Sequence, residues 1–283
     1  MISSLFAVDA AVMTINVQNG VEVGSEIHFR HAEKNNKPVI LVINGLDHEK
    51  SHFEKAVEMM KERLSNNITL IQYPVNEGTG FDSIIDVLKM KMLRYSKDGG
   101  KAEVVEIPAD QADRAAELHS TLIEKAAESE ESLMELFFAN DTLSEEEIRK
   151  GISKGIINRG LFPVLCCSSK HNIGVDRIME FIVNEAPSIT DMPFIKNNKG
   201  AEVKPNPSGP ASVYVFKSSI EEHIGEINYI RVLSGKISEN LDVVNTSNGS
   251  KERLSQLYIS ACKNRSKFPE LHVGYIGAFV KPK

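Results

Sequence analysis

The chain has 283 residues, 41% apolar and 25% charged, with a net charge of −6; it is long enough for two or three compact units and ordinary in composition for folded domains. The acidic balance excludes a global basic field that would draw it to nucleic acid. Three cysteines, an adjacent pair Cys166 and Cys167 and a distant Cys262, exclude a disulfide framework, and the chain is expected to be cytoplasmic, with no membrane-length apolar run and no signal peptide at its start.

Residues 11–17 (AVMTINV) read as a short strand entered in mid-domain. Gly20 and Gly24 punctuate, Ser25 is placed to cap a helix through Ile27, Arg30 and Ala32, and Pro38 precedes the run VILVI at 39–43. Runs apolar on both faces suit parallel strands covered on each side. A second helix is expected directly after Asp47, with Phe53, Val57, Met60 and Leu64 on its inner face. Strand, helix, strand, helix predicts a parallel sheet.

From about residue 66 to 157 the character changes. Strand-like pieces (ITLIQYPV, then EVVEI) lead into charged helices with apolar stripes at Ala115, Leu118, Leu122, Ile123 and Ala126, then at Leu133, Leu136 and Phe137. Ser144 and Glu147 spell a capping box. These helices are acidic (Glu124, Glu128, Glu130, Glu131, Glu135, Glu145, Glu146, Glu147), which describes either a solvated face or a docking surface. Residues 162–167 (FPVLCC) are another buried-strand candidate, and Gly174 opens a closing helix. A Pro-, Asn- and Lys-rich linker follows. Beyond it the period becomes two (SVYVFKS, EINYIRVLSGKIS, DVVNTS, RLSQLYIS), predicting an antiparallel barrel.

The turn Asn44-Gly45-Leu46-Asp47 follows the strand at 39–43, and Ser168-Ser169-Lys170 follows the strand at 162–167. Loops at the carboxyl ends of parallel strands are where open α/β sheets bind ligands. Guanine offers O6 and N7 as acceptors and N1–H and N2–H₂ as donors. An Asn amide can serve the first pair. A carboxylate three residues on can accept from the second, a charge-assisted pairing of roughly 1.5–3 kcal/mol. A backbone N–H of the second loop can reach O6.

Both loops, in this order, resemble the paired guanine-recognition motifs of GTPases, and the whole chain resembles the elongation-factor-G family. VDAAVMTINVQNGVEVGSE is similar to that family's strand and helix ahead of its N-K-x-D loop. IPADQADRAAELHSTLIEKAAESEESLMELFF is similar to the helices of its inserted G′ subdomain, and IRVLSGKISENLDVVN to its domain II, including the R-V-x-S-G turn at 231–235. The resemblance implies an α/β fold, a partial P-loop GTPase-type parallel sheet with an α+β insert, followed by an antiparallel β-barrel. It divides the chain into half of a GTPase domain (1–65 and 158–188), the G′ insert (66–157), a linker (189–204) and a truncated domain II (205–283).

It further implies that Asn44 and Asp47, with Ser168, Ser169 and Lys170, recognise guanine of GTP or GDP, with Mg²⁺ used in the complete factor. Implied partners are the ribosome, its large-subunit stalk protein through the acidic insert helices, and ribosomal RNA near domain II, where Arg231, Lys236, Lys251 and Arg253 are candidate contacts. The implied work is GTP-dependent translocation. No G-x-x-x-x-G-K-[S/T] run occurs, so this chain alone is expected to bind nucleotide weakly and not to hydrolyse it. The alternative is a stand-alone, non-enzymatic remnant that binds the ribosome or its stalk. Gly45 stands where the family has lysine, which implies a looser guanine site.

A rival enzyme class is written at His48-Glu49-Lys50-Ser51-His52, the H-E-x-x-H pattern of zinc proteases. On a helix His48 and His52 would share a face, with Glu49 as general base and Asp82 or Asp86 as third ligand. Its place in the first turn after a strand-end loop, beside Lys50 and Glu54, fits a surface helix instead, and no metal is expected.

Overall fold

The computed structural model describes residues 2–97, 99–192, 195–196, 202–222, 225–261 and 264–281; Cys262 lies outside them. The chain forms two compact units, Ala10–Pro187 and Met1–Asp9 together with Ser188–Lys283. The first nine residues, expected in the α/β unit, therefore belong with the β-rich one. Helix α1 (Ile2–Leu5) packs against that unit's first long strand, and Asp9 pairs with the buried Arg231.

In the α/β unit the elements run β1 (Ala11–Asn16), α2 (Val23–Lys34), β2 (Val39–Asn44), α3 (Phe53–Arg63), β3 (Ile68–Leu70), β4 (Gln72–Pro74), β5 (Ser83–Asp86), β6 (Lys91–Arg94), β7 (Glu103–Val105), α4 (Ala109–Ala127), α5 (Glu131–Asn140), α6 (Glu145–Asn158), β8 (Phe162–Cys167) and α7 (Val175–Glu185). A parallel sheet has the order β1-β2-β8-β3. Every residue of β8 and all but the last of β2 are buried, as runs apolar on both faces require. Phe29 of α2 meets Phe162 of β8 edge to face, centroids 5.1 Å apart, and fixes that helix on the sheet.

The insert is a meander, β4-β5-β6-β7, followed by α4, α5 and α6. The run ITLIQYPV is two strands rather than one. Its first part pairs with β8 and its second with β5, and the chain changes sheets at Ile71, whose N–H donates to Val164 and whose carbonyl accepts from Val87, both at 2.9 Å. Past that exchange β8 has lost its neighbour, and the buried Gln72 side chain accepts from the Cys166 N–H at 3.3 Å instead. Strands β5 and β6 carry no period-two alternation, because both faces are largely buried.

Two helix starts differ from expectation. Helix α2 is capped at Glu22, so Ser25 lies inside it. Helix α3 begins at Phe53, because residues 45–51 close turns (His48 N–H to Gly45 O, Ser51 N–H to His48 O) and the Phe53 N–H is taken by Glu77 at 2.8 Å. The capping box of α6 is formed by Ser144 and Glu147. Leu133 is buried as its stripe requires, whereas Leu136 is exposed.

The insert is tied to α7 by a buried ion pair. Arg177 Nε donates to Asp86 Oδ2 at 2.5 Å, and the two side chains are 2% and 0% exposed. Lys89 and Arg177 both reach Glu180, and Arg149 of α6 pairs with the buried Glu185. Burial raises the Glu185 carboxyl above its ordinary value, against the pull of Arg149 and Arg177.

In the β-rich unit, β9 (Ile195–Lys196) pairs with β10 (Glu202–Val203). Strands β11 (Ser212–Glu221), β12 (Gly225–Ser234), β13 (Lys236–Ser238), β14 (Leu241–Val244), β15 (Lys251–Leu254), β16 (Leu257–Ala261), β17 (Asn264–Lys267), β18 (Glu270–His272) and β19 (Ile276–Lys281) follow. They form an antiparallel sheet β11-β12-β19-β16-β17 with the ribbons β13-β18 and β14-β15. Ile230, Val232, Leu254, Leu257 and Leu271 fill its core. Arg231 is 4% exposed and held by Asp9, which corrects its candidacy as an RNA contact. Lys236 and Arg253 are exposed, facing Glu270 and Asp242.

Removing one partner of a buried ion pair leaves the other charge uncompensated. Asp86→Ala is therefore expected to lower unfolding stability by about 3–5 kcal/mol, read as the urea midpoint of the intact chain; a loss below about 1 kcal/mol would show that the pair carries little.

Candidate functional site

Strands β2 and β8 lie side by side with Asn44 opposite Cys167, so the turns that follow them emerge together. The Cys167 carbonyl accepts the Gly45 N–H at 3.1 Å and the Leu46 N–H at 3.4 Å, carrying the sheet's pairing into the first loop. Gly45 has φ +91°, in the left-handed region. A lysine in this same backbone conformation would be strained by about 1–3 kcal/mol.

Side chains join the two loops. Asn44 Oδ1 accepts from the Ser169 backbone N–H at 2.9 Å, and Asn44 Nδ2 donates to Ser169 Oγ at 3.0 Å. The Cys167 thiol also donates to Asn44 Oδ1, at 3.4 Å. Asp47 Oδ1 accepts from Ser168 Oγ at 2.6 Å. Its other oxygen faces His171 Nε2 at 3.5 Å and Lys170 Nζ at 3.9 Å. The structure thus gathers all five sequence-named residues, with Lys170 the outermost and 76% exposed.

Burial pushes the Asp47 carboxyl upward. The Ser168 hydroxyl bond, its own backbone N–H, and the charges of His171 and Lys170 outweigh that and hold it below the ordinary carboxylate value. Burial likewise lifts the Cys167 thiol to about 12, with the Asp47 charge adding to the effect and the Ser169 N–H opposing it. Burial also raises the Cys166 thiol well above its ordinary value. Both thiols are therefore protonated at neutral pH.

Three participants were missed from sequence: His171, the Cys167 carbonyl and thiol, and the Ser168 hydroxyl as a strut beneath Asp47. The available signal for His171 was its position directly after Ser168-Ser169-Lys170, in the same loop, where its Nε2 lies 3.5 Å from Asp47 Oδ2. The second loop is itself closed by a pair of 3.0 Å bonds between Ser168 and Ile173.

The H-E-x-x-H run does not build a metal centre. His48, Glu49 and Lys50 lie in a turn and His52 is the cap residue of α3, so the two histidines share no helix face. Asp86 is committed to Arg177. Among the described residues no group of three His, Cys, Asp or Glu side chains is arranged to hold a metal ion.

A carboxylate held below its unfolded value stabilises the fold above that value and ceases to do so as pH falls through the lower folded one. Asp47→Asn is thus expected to flatten the acid limb of unfolding stability below about pH 4, measured by urea midpoints between neutral pH and pH 3; an unchanged limb would show that Asp47 contributes nothing there.

Comparison with known proteins gives a consistent result. The family described as "Elongation factor Tu GTP binding domain" matches residues 1–188, and "Elongation factor G domain 2" matches residues 210–283. Proteins named elongation factor G from Ureaplasma urealyticum serovar 10 and Ureaplasma parvum serovar 3 are each 34% identical over 98% of this chain. The chain spans 41% of the length of those relatives. A crystal structure of a Thermus thermophilus protein superposes with a TM-score of 0.83 at 25% identity, covering 99% of this chain and 40% of that one. The order of a parallel α/β unit followed by an antiparallel β unit is the order in which the two families match. The chain belongs to the elongation factor G family of translational GTPases.

Proposed function

We propose that this chain is the guanine-reading portion of a factor that promotes GTP-dependent translocation on the ribosome. The carrying observation is that Asn44 and Asp47 are locked to Ser169 and Ser168 across two loops at the carboxyl ends of adjacent parallel strands. Asn44 is assigned to the acceptor edge of the base, Asp47 to N1–H and N2–H₂, and the backbone N–H of Lys170 to O6, since the Ser169 N–H is taken by Asn44. Against the upward push of burial, the hydrogen bond from the Ser168 hydroxyl and then the Asp47 backbone N–H, with the nearby His171 and Lys170 adding less, hold the Asp47 carboxyl below its ordinary value, which suits a carboxylate that must accept two hydrogen bonds. The proposal includes the division into a GTPase-type unit, the G′ insert, a linker and domain II.

The sequence contains no phosphate-loop pattern, so the base contacts stand without the phosphate cradle, and this chain alone is assigned weak guanine binding and no turnover. Mg²⁺ accompanies the phosphates of GTP and belongs with that cradle rather than with the residues described above. No helix among the described residues is long and apolar enough to cross a membrane, and a cytoplasmic location suits a factor of this family.

Titration of the chain with GDP, ADP and XDP tests the base assignment. GDP is expected to bind about tenfold or more above ADP, the range a charge-assisted pair to Asp47 supplies. Asp47→Asn should exchange that preference for XDP, because a carboxamide donates to the xanthine 2-oxo group where the carboxylate would repel it. Equal binding of GDP and ADP to the wild-type chain would reject the guanine site.

The stalk protein of the large subunit is the partner assigned to the insert. Glu124, Glu131, Glu135 and Glu146 are all exposed there. Co-sedimentation of the chain with ribosomes is expected to fall when the stalk protein is stripped and to return when it is added back. Sedimentation indifferent to the stalk would remove that assignment and leave domain II as the contact.

A further inference from the structure

The insert touches both guanine loops, and it does so from one end. In a four-stranded meander the β4–β5 and β6–β7 turns lie at the same end. Each places a glycine of positive φ against one loop. Gly78, at φ +88°, donates its N–H to the Leu46 carbonyl at 2.7 Å, inside the turn at 44–47. Gly100, at φ +93°, donates its N–H to the Asn172 carbonyl at 3.1 Å, inside the second loop.

The second contact is close-fitting. A Cβ on Gly99, whose φ is +67°, would stand 2.0 Å from the His171 carbonyl oxygen and 2.7 Å from that of Asn172. Both are backbone atoms and cannot swing aside. A Cβ on Gly174 would meet Ile84 of the insert sheet at 2.8 Å. Beyond the loop, Asp176 at the start of α7 accepts from Tyr95 Oη at 2.7 Å and from the Ala102 N–H at 3.3 Å, both in the segment that carries Gly99 and Gly100. The loop 168–174 is thus held on one side by Asn44 and Asp47 and on the other by the insert.

We propose that the two hairpin tips of the insert, through Gly78 on the first loop and Gly99 with Gly100 on the second, are positioning elements for the guanine-recognition loops. The inference deepens the function proposed above: the segment assigned to a ribosomal partner also braces the segment assigned to the base. Gly99 sets how closely the second loop can lie, and Tyr95 and Ala102 fix the helix into which that loop runs. All of these contacts are made to the loops and to α7, so the residues act through them.

Gly99→Ala tests this, with Gly80→Ala as the control. Gly80 is another insert glycine at positive φ (+95°), but its added Cβ would have nothing within 4 Å, so it reports backbone strain alone. Amide exchange of the intact chain, resolved by residue, is the first readout, and GDP affinity the second. In Gly99→Ala, exchange at Ser168, Ser169, His171 and Asn172 is expected to accelerate about 5- to 10-fold, with the exchange of β1 and β2 unchanged, and GDP affinity to fall by a similar factor. Gly80→Ala should do neither. Tyr95→Phe, which keeps the ring and removes the bond to Asp176, should give a smaller acceleration confined to the same loop and the start of α7. Loop exchange equal to wild type in Gly99→Ala, or acceleration spread uniformly over the unit, would overturn the proposal. Exchange needs no nucleotide. A wild-type chain that fails to prefer GDP while Gly99→Ala still loosens the loop would reject the base assignment and leave the brace standing.

Discussion

Strand β8 is the piece of backbone on which the unit's other parts converge. Buried along its whole length, it takes β2 on one side and β3 on the other, and its last residue passes the sheet's hydrogen bonding on to Gly45 and Leu46. Buried backbone must be paired, and three residues of β3 cannot pair six of β8. The deficit is met by Ile71 and then by the Gln72 side chain. That is also the point at which the chain leaves one sheet for the other. The need to finish β8's edge therefore fixes where the insert begins and why it lies beneath the loop that β8 delivers.

The insert is bound to its host by polar contacts as well as by core packing. Asp86 and Arg177 neutralise one another out of water, a geometry that adds little net stability and tolerates no loss of either member. Phe53 of α3 is capped by Glu77 from the insert, so a host helix depends on an inserted residue for its first turn. A segment that caps one helix, pairs a charge on another and rests two turns on the site loops does not behave as a detachable module.

Much of this was legible in the residues. Apolar runs at 39–43 and 162–167 have one physical solution, a strand covered on both faces, and the Asn-to-Asp spacing after the first made sense only once the second loop was set beside it. The capping box at Ser144 is local chemistry and formed as written. What escaped was non-local. Nothing within ITLIQYPV marks a change of sheet, because both halves are buried and β-prone. SIID and KMLR lack alternation for the same reason. Helix α3 was expected to begin after Asp47, since the glutamate that caps Phe53 is 24 residues away in sequence. Arg231 looked like a surface cation until Asp9, 222 residues before it, was found beside it.

The adjacent cysteines carry a chemical consequence. Successive residues of a strand point to opposite faces, so Cys166 and Cys167 are neighbours in sequence whose sulfur atoms are directed apart and are not placed to form a bond with one another. Burial also keeps both as thiols rather than thiolates, and alkylating and oxidising agents attack the thiolate. The strand that delivers the loop at 168–174 is therefore chemically quiet. Oxidants are expected to leave the contact between Cys167 and Asn44 intact, and maleimide or iodoacetamide is expected to leave these two positions of the folded chain unmodified.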